Sequence, residues 1–258
     1  MAATELPTLY VIHGSHACRT GMLMLEHKGI AYRRVDLRTG THPISLRLRG
    51  FAGNRVPIRE VDGGTHGKLA MLDRGGTVPA LRFAGERIRT NREIARFLDR
   101  AQPEPPLLPA DPGRRAAVEE AERWGDEALQ MLARRVALAT SAHGLDALHD
   151  RANDGRLGPL LAPSERERAL ASRASAFVFR ANRGNEAQLL GMLPAAFDRI
   201  EAWIEAWIEA GVLGGEALNA ADFMIAPSLA LLAYRPDLRP QIVARACGAL
   251  LDRVLPET

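Results

Sequence analysis

Thr77-Val78-Pro79-Ala80-Leu81 is the stretch on which the reading of this chain turns. It reads as a strand, yet Pro79 has no N–H to give to a ladder and belongs at a strand's first residue or at a sheet edge. A cis peptide before Pro79 resolves the conflict, because it turns the backbone so that Val78 offers its own N–H and C=O to a ligand. Ala84-Gly85-Glu86 makes a turn and 87–89 a short return strand, which closes a hairpin. Thr90-Asn91-Arg92-Glu93 then has the capping-box pattern, and Ile94, Phe97 and Leu98 give the helix that follows its inward face.

Upstream, Leu9 to Ile12 is a β-branched and aromatic run that reads as a central strand. His13-Gly14 breaks it, Ser15 suits a helix N-cap, and the helix runs to about Lys28 before Gly29 stops it. A second strand over 31–37 completes a β-α-β unit and implies a parallel pair. A short helix over 42–49 follows. Then comes a Gly-rich stretch, 53–76, whose apolar pieces (56–61 and 68–72) flank Asp62-Gly63-Gly64 and suggest another hairpin. Residues 54–76 are also read as a mobile hairpin flap over a cleft, or else as a plain surface decoration.

Five prolines between 102 and 112 mark a stiff connector. We place a domain boundary there: an α/β domain over 1–101, a linker over 102–112 and an all-helical domain over 113–258. Helices are expected over 114–140, 163–183, 186–210 with a kink at Pro194, 219–234 and 239–255. The tandem Ala-Trp-Ile-Glu at 202–209 puts Trp203 and Trp207 one turn apart, the spacing of a buried helix face.

With 47% hydrophobic and 25% charged residues in 258, the composition is that of a soluble globular protein. The longest apolar run, 223–233, is too short to span a bilayer, and the N-terminus lacks a secretory pattern, so no membrane association and a cytoplasmic location are expected. Two cysteines, Cys18 and Cys247, do not make a disulfide scaffold. The net charge of +3 comes from arginines interspersed with acids, a pattern of salt-bridged helix surfaces that argues against a nucleic-acid partner.

The order of these elements resembles the cytosolic glutathione transferase family: a thioredoxin-like α/β half, then an all-helical bundle. The resemblance is carried by Ser15 to Ile30, Thr77-Val-Pro-Ala-Leu81, Thr90-Asn-Arg-Glu-Ile94 and Asn219-Ala-Ala-Asp-Phe223. The chain departs from the family pattern in three places. The segment 54–76 is longer, Thr90-Asn91 stands where an acidic residue and a serine are common, and Asn219 replaces a serine or threonine cap. The resemblance implies glutathione or another low-molecular-weight thiol as cosubstrate, an apolar electrophile between the halves, a homodimer and a role in detoxification.

Ser15 is the candidate catalytic residue. At a helix N-terminus the backbone amides and the dipole favour an anion, and a hydroxyl there can donate to a bound thiolate; Ser15 can equally be only an N-cap. Cys18, three residues on, is the alternative catalytic residue of a thiol-dependent reductase or isomerase, or else a buried structural thiol. A third reading is a non-catalytic ligand- or partner-binding protein on the same scaffold. Val78, Pro79, Thr90 and Asn91, with Ser15, are the candidate thiol-binding residues, Thr90 and Asn91 receiving a carboxylate on helix N-terminal amides. His13, His16 and Cys18 lack a fourth ligand at a usable spacing, so no metal is expected. Asp222 is read as a helix-capping residue and Cys247 as core.

Overall fold

The structure is a computed structural model and describes residues 5–52, 77–144, 148, 155–158, 165–205 and 212–256. The hairpin and flap expected within 53–76 lie outside the described residues, as does Trp207. Strand β1 (Thr8–Val11) is buried along its whole length, as its apolar and β-branched composition demands of a central strand. It pairs in parallel with β2 (Arg33–Asp36) and antiparallel with β3 (Ala80–Phe83), which pairs antiparallel with β4 (Glu86–Arg89). The order is β2-β1-β3-β4.

Pro79 lies just outside the ladder: β3 begins one residue after it, shorter than the strand expected over 77–83. The Val78–Pro79 peptide is cis, as the sequence suggests. In the β1–β3 register Leu9 faces Leu81 and Tyr10 faces Ala80. Because side chains alternate along a strand, the two pairs point to opposite faces. Leu9, Val11 and Leu81 join the main core with α1 (His16–His27) and α3 (Asn91–Ala101). Tyr10 and Ala80 pack instead with Leu37, Leu46 and Phe51, the last two on and just after α2 (His42–Leu48).

A buried charge fastens the α/β half to the proline stretch. Lys28, 2% exposed, donates from Nζ to Asp99 Oδ1 at 2.6 Å and to the carbonyls of Gln102 and Pro103 at 2.7 and 3.3 Å. Asp99 in turn accepts from the backbone N–H groups of Leu107 and Leu108 at 2.8 and 2.9 Å. Each charge taken from water is thereby hydrogen-bonded, the condition for burying it at all.

Beyond the prolines the elements are helical: α4 (Pro112–Trp124), a π-helical turn (Gly125–Leu129), α5 (Gln130–His143), α6 (Glu165–Val178), α7 (Arg183–Gly191), α8 (Leu193–Glu205), α9 (Ala220–Ala233), α10 (Arg239–Val243) and α11 (Ala246–Val254). Three expected helices are subdivided. The one over 114–140 contains the π-helical turn. The one over 186–210 breaks at Met192, so Pro194 sits in the first turn of a new helix, where its missing N–H costs nothing, and does not kink a continuous one. The one over 239–255 breaks between Val243 and Ala246. Trp203 stacks edge-on against Trp124, ring centroids 5.3 Å apart. Among the described residues no helix is long and apolar enough to cross a membrane.

All fourteen residues of α9 are buried, and it packs against α1, α4, α5 and α11. Its close approach depends on Gly125: a Cβ there would stand 2.8 Å from Met224 Cγ and 3.2 Å from Ile225 Cγ1. Gly125→Val should therefore destabilise by at least about 2 kcal/mol, because the core cannot accept the added carbons without displacing α9. Gly191→Ala has open space and no left-handed backbone to satisfy. It should be neutral or stabilise by up to about 1 kcal/mol. Urea unfolding midpoints of the two variants test the contrast.

Candidate functional site

The first turn of α1 is set by Gly14, at φ +66°, which turns the chain out of the sheet, and by Ser15, whose extended backbone and Oγ cap the helix. Ser15 Oγ accepts the Cys18 N–H at 3.2 Å. A hydroxyl that accepts still has its own proton to donate, so capping leaves Ser15 able to serve a thiolate.

Thr90 caps α3 through Oγ1, which accepts the Glu93 N–H at 3.2 Å. The returning bond of a capping box is displaced by one residue: Glu93 Oε2 accepts from Arg89 N–H, not from Thr90. Thr90 itself has φ +63° and ψ 146°, a region β-branched residues rarely enter and one that collects at ligand sites. Asn91, 3% exposed, donates from Nδ2 to the Ala17 carbonyl at 2.9 Å and so ties α3 to α1, while its buried Oδ1 has no partner among the described residues.

These elements converge on a cavity of about 80 Å³. Its α/β wall is Ala17, Thr77, Val78, Pro79, Thr90 and Asn91. Four of the residues singled out from sequence are therefore brought together. Ser15 stands two residues before Ala17 but is not in that wall, and neither is Cys18. Cys18 is fully buried, and burial pushes its thiol up to about 11, against smaller opposing contributions from Ser15 and the Ile12 backbone. It is a protonated core thiol at neutral pH. His16 is also buried and its imidazole is driven down to about 3, chiefly by burial and secondarily by Arg134. It is neutral, and Nε2 donates to the Gln130 carbonyl at 3.1 Å, joining α1 to α5.

The helical wall is Asp126, Gln130, Met131 and Arg134, none of which was singled out in the sequence. Their signal was a polar residue every fourth position in an otherwise core-forming stretch. The wall is largely polar, whereas the resemblance implies an apolar co-substrate. Asp126 is pushed up to about 6 by burial; the charge of Arg92 and, more weakly, that of Arg134 oppose the shift, and those of Glu122 and Glu127 add to it. Among the described residues no group of three or more His, Cys, Asp or Glu side chains could hold a metal.

Because Asp126 is raised in the folded protein, the native state binds its proton more tightly than the unfolded chain. Its contribution is favourable below about pH 4 and is lost as pH rises through about 6. Asp126→Asn should therefore stabilise on the order of 1–3 kcal/mol at pH 8 and not at all below about pH 4, measured by denaturant unfolding at both values. Cys18 and Cys247 are both buried. Neither should react with a disulfide reagent such as dithionitrobenzoate at pH 7.5 until denaturant is added, when both should titrate.

No family model and no curated protein sequence matches the chain. Solved structures do. A glutathione S-transferase-like protein from Pseudomonas syringae superposes with a TM-score of 0.59 at 18% identity, covering 97% of this chain and 66% of the other. A glutathione S-transferase from Rhodospirillum rubrum gives 0.52 at 23% identity, covering 98% and 93%. One from Ceriporiopsis subvermispora, in complex with glutathione, gives 0.57 at 16%, covering 97% and 96%. Agreement over nearly the whole chain, at identities that speak for architecture alone, establishes that this protein has the glutathione transferase fold, a thioredoxin-like half joined to an all-helical half.

Proposed function

We propose that the protein is a glutathione transferase-like enzyme that activates a low-molecular-weight thiol for attack on an electrophile. The observation that carries this reading is the convergence of Val78, Pro79, Thr90 and Asn91 on one cavity beside the first turn of α1. In this reading residues 1–101 form the thiol-binding domain, 102–112 the linker and 113–258 the co-substrate domain. Val78 backbone groups align the thiol's peptide part. The α3 N-terminus, with Thr90 and Asn91, receives its carboxylate. The sulfur lies at the α1 N-terminus, where the dipole and the Ser15 hydroxyl favour thiolate over thiol; each unit of pKa lowering is worth about 1.4 kcal/mol. The thiolate then attacks the electrophile held against the helical wall.

Glutathione is the thiol favoured, since a neighbour of the same fold is in complex with it. A cytoplasmic homodimer acting in detoxification is proposed on the same resemblance. The alternative, a reductase using Cys18, is disfavoured because a buried thiol held near 11 is neither accessible nor ionised.

Ser15→Ala should keep the fold, with a cap loss of about 1 kcal/mol, and lower thiol-conjugating turnover by at least about tenfold, or about 1.4 kcal/mol in the barrier. Cys18→Ala should change turnover little. Steady-state kinetics of both variants with glutathione and a chromogenic electrophile decide the matter. Activity lost in Cys18→Ala and kept in Ser15→Ala would overturn the assignment.

A further inference from the structure

Asp126, Gln130 and Arg134 recur every four residues from the π-helical turn into α5 and form one polar stripe on the helical wall of the cavity. Gln130 is fixed within it: its carbonyl accepts from His16, and its side-chain amide donates to Met224 Sδ at 3.5 Å. Asp126 is not fixed in this way. Glu122, Asp126 and Glu127 follow one another closely through α4 and the π-helical turn, and Arg92 and Arg96 reach over from α3. Arg96 takes Glu122 at 2.8 and 2.9 Å, and Arg92 stands 3.7 Å from Glu122 and 3.5 Å from Glu127. Both arginines are thus directed at the two glutamates. The Asp126 carboxylate lines the cavity and, among the described residues, accepts no hydrogen bond and makes no ion pair. A carboxylate that serves the fold is paired or hydrogen-bonded, as Glu122 and Glu127 are; one left facing a cavity is available to what enters it.

The charges around Asp126 are Arg92 from α3, Glu122 from α4, Glu127 from the π-helical turn and Arg134 from α5. Burial raises its affinity for a proton, and a thiolate brought into the same cavity adds a like charge that raises it further. Asp126 can then enter the reaction as an acid, which helps only a reaction that creates a base. Displacement on an aryl halide expels a halide ion that needs no proton. Opening an epoxide puts an electron pair on oxygen, and an alkoxide is a far stronger base than a carboxylate, so the proton moves downhill.

We propose that Asp126 is the general acid of the transfer and suits the site to epoxides. The thiolate sulfur bonds to one ring carbon, the bond from that carbon to oxygen breaks, and its electron pair goes to the oxygen. Asp126 gives its proton to that oxygen, leaving an alcohol beside the new thioether. It recovers a proton from water, in place of the one the thiol released on ionising. The proposal rests on the transferase reading.

Styrene oxide and 1-chloro-2,4-dinitrobenzene, each with glutathione and the full chain, test it. The readout is the ratio of their kcat/KM values, epoxide over aryl chloride, each relative to its uncatalysed rate; thiolate formation cancels from it. The ratio should fall at least about tenfold in Asp126→Asn, an isosteric amide that cannot act as an acid. A merely structural Asp126 would lower both activities together and leave the ratio unmoved. In the wild type the ratio should fall as pH rises past the pKa of the carboxyl, by up to about tenfold per unit. It should be flat in Asp126→Asn, and Asp126→Glu should restore part of the slope. A flat wild-type ratio, a slope that survives Asp126→Asn, or conjugation of the aryl chloride alone overturns the proposal and leaves the transferase reading standing. Conjugation of neither compound by the wild type refutes the transferase reading and the proposal with it.

Discussion

The constraint on which this structure depends is that α9 is apolar on every side and has to be enclosed. A helix with a single apolar stripe needs one partner; a helix buried all round needs a ring of them. The ring here includes α1 from the α/β half, with the His27 and Phe223 rings 5.1 Å apart, together with α4, α5 and α11. The N-terminus of α9 is closed by a reciprocal capping box. Asn219 Oδ1 accepts from Ala221 N–H, and Asp222 accepts from Asn219 N–H and Gly214 N–H. Burial raises Asp222 to about 6, and these two backbone donors partly oppose the shift. The next amide of the helix, that of Ala220, donates to Leu107 in the proline stretch. Enclosing one helix thus fixes how the two halves meet.

The buried Lys28–Asp99 pair completes that junction from the other side. It joins the C-terminal end of α1, the body of α3 and the proline stretch through hydrogen bonds that satisfy both charges. With α1 held at one end by Lys28 and along its side by α9, the His16–Gln130 bond sets its first turn against α5. The cavity between Val78–Pro79 and the Asp126–Arg134 stripe is what remains between elements placed by those contacts. Its width is a consequence of packing done elsewhere.

Three local departures from the most stable arrangement lie around the same cavity. Thr90 holds a left-handed φ, Asn91 Oδ1 is buried with no partner among the described residues, and Asp126 keeps a carboxylate where burial opposes its charge. Each costs stability, and a packed core has no use for any of them.

Much of this was readable in the chain. The apolar run from Leu9 to Val11, the Val78-Pro79 pair and the Thr90 and Asn219 caps are local patterns, and the strands and the helix starts follow from backbone chemistry within a few residues. Ser15 and Cys18 were visible as candidates, but local sequence left both roles open; burial decides that Cys18 is an un-ionised core thiol. The helix breaks at Met192 and after Val243 were not visible, because an amphipathic period continues across a change of helix axis. The role of the polar wall was not visible either. Asp126, Gln130 and Arg134 are ordinary helix-surface residues by type, and only the packing of α1 and α9 decides that the face they occupy closes a cavity. The sequence by itself determined the four described strands and the capped starts of α1, α3 and α9. The tertiary structure alone decided which faces meet, since burial and the field at a side chain depend on neighbours remote in sequence.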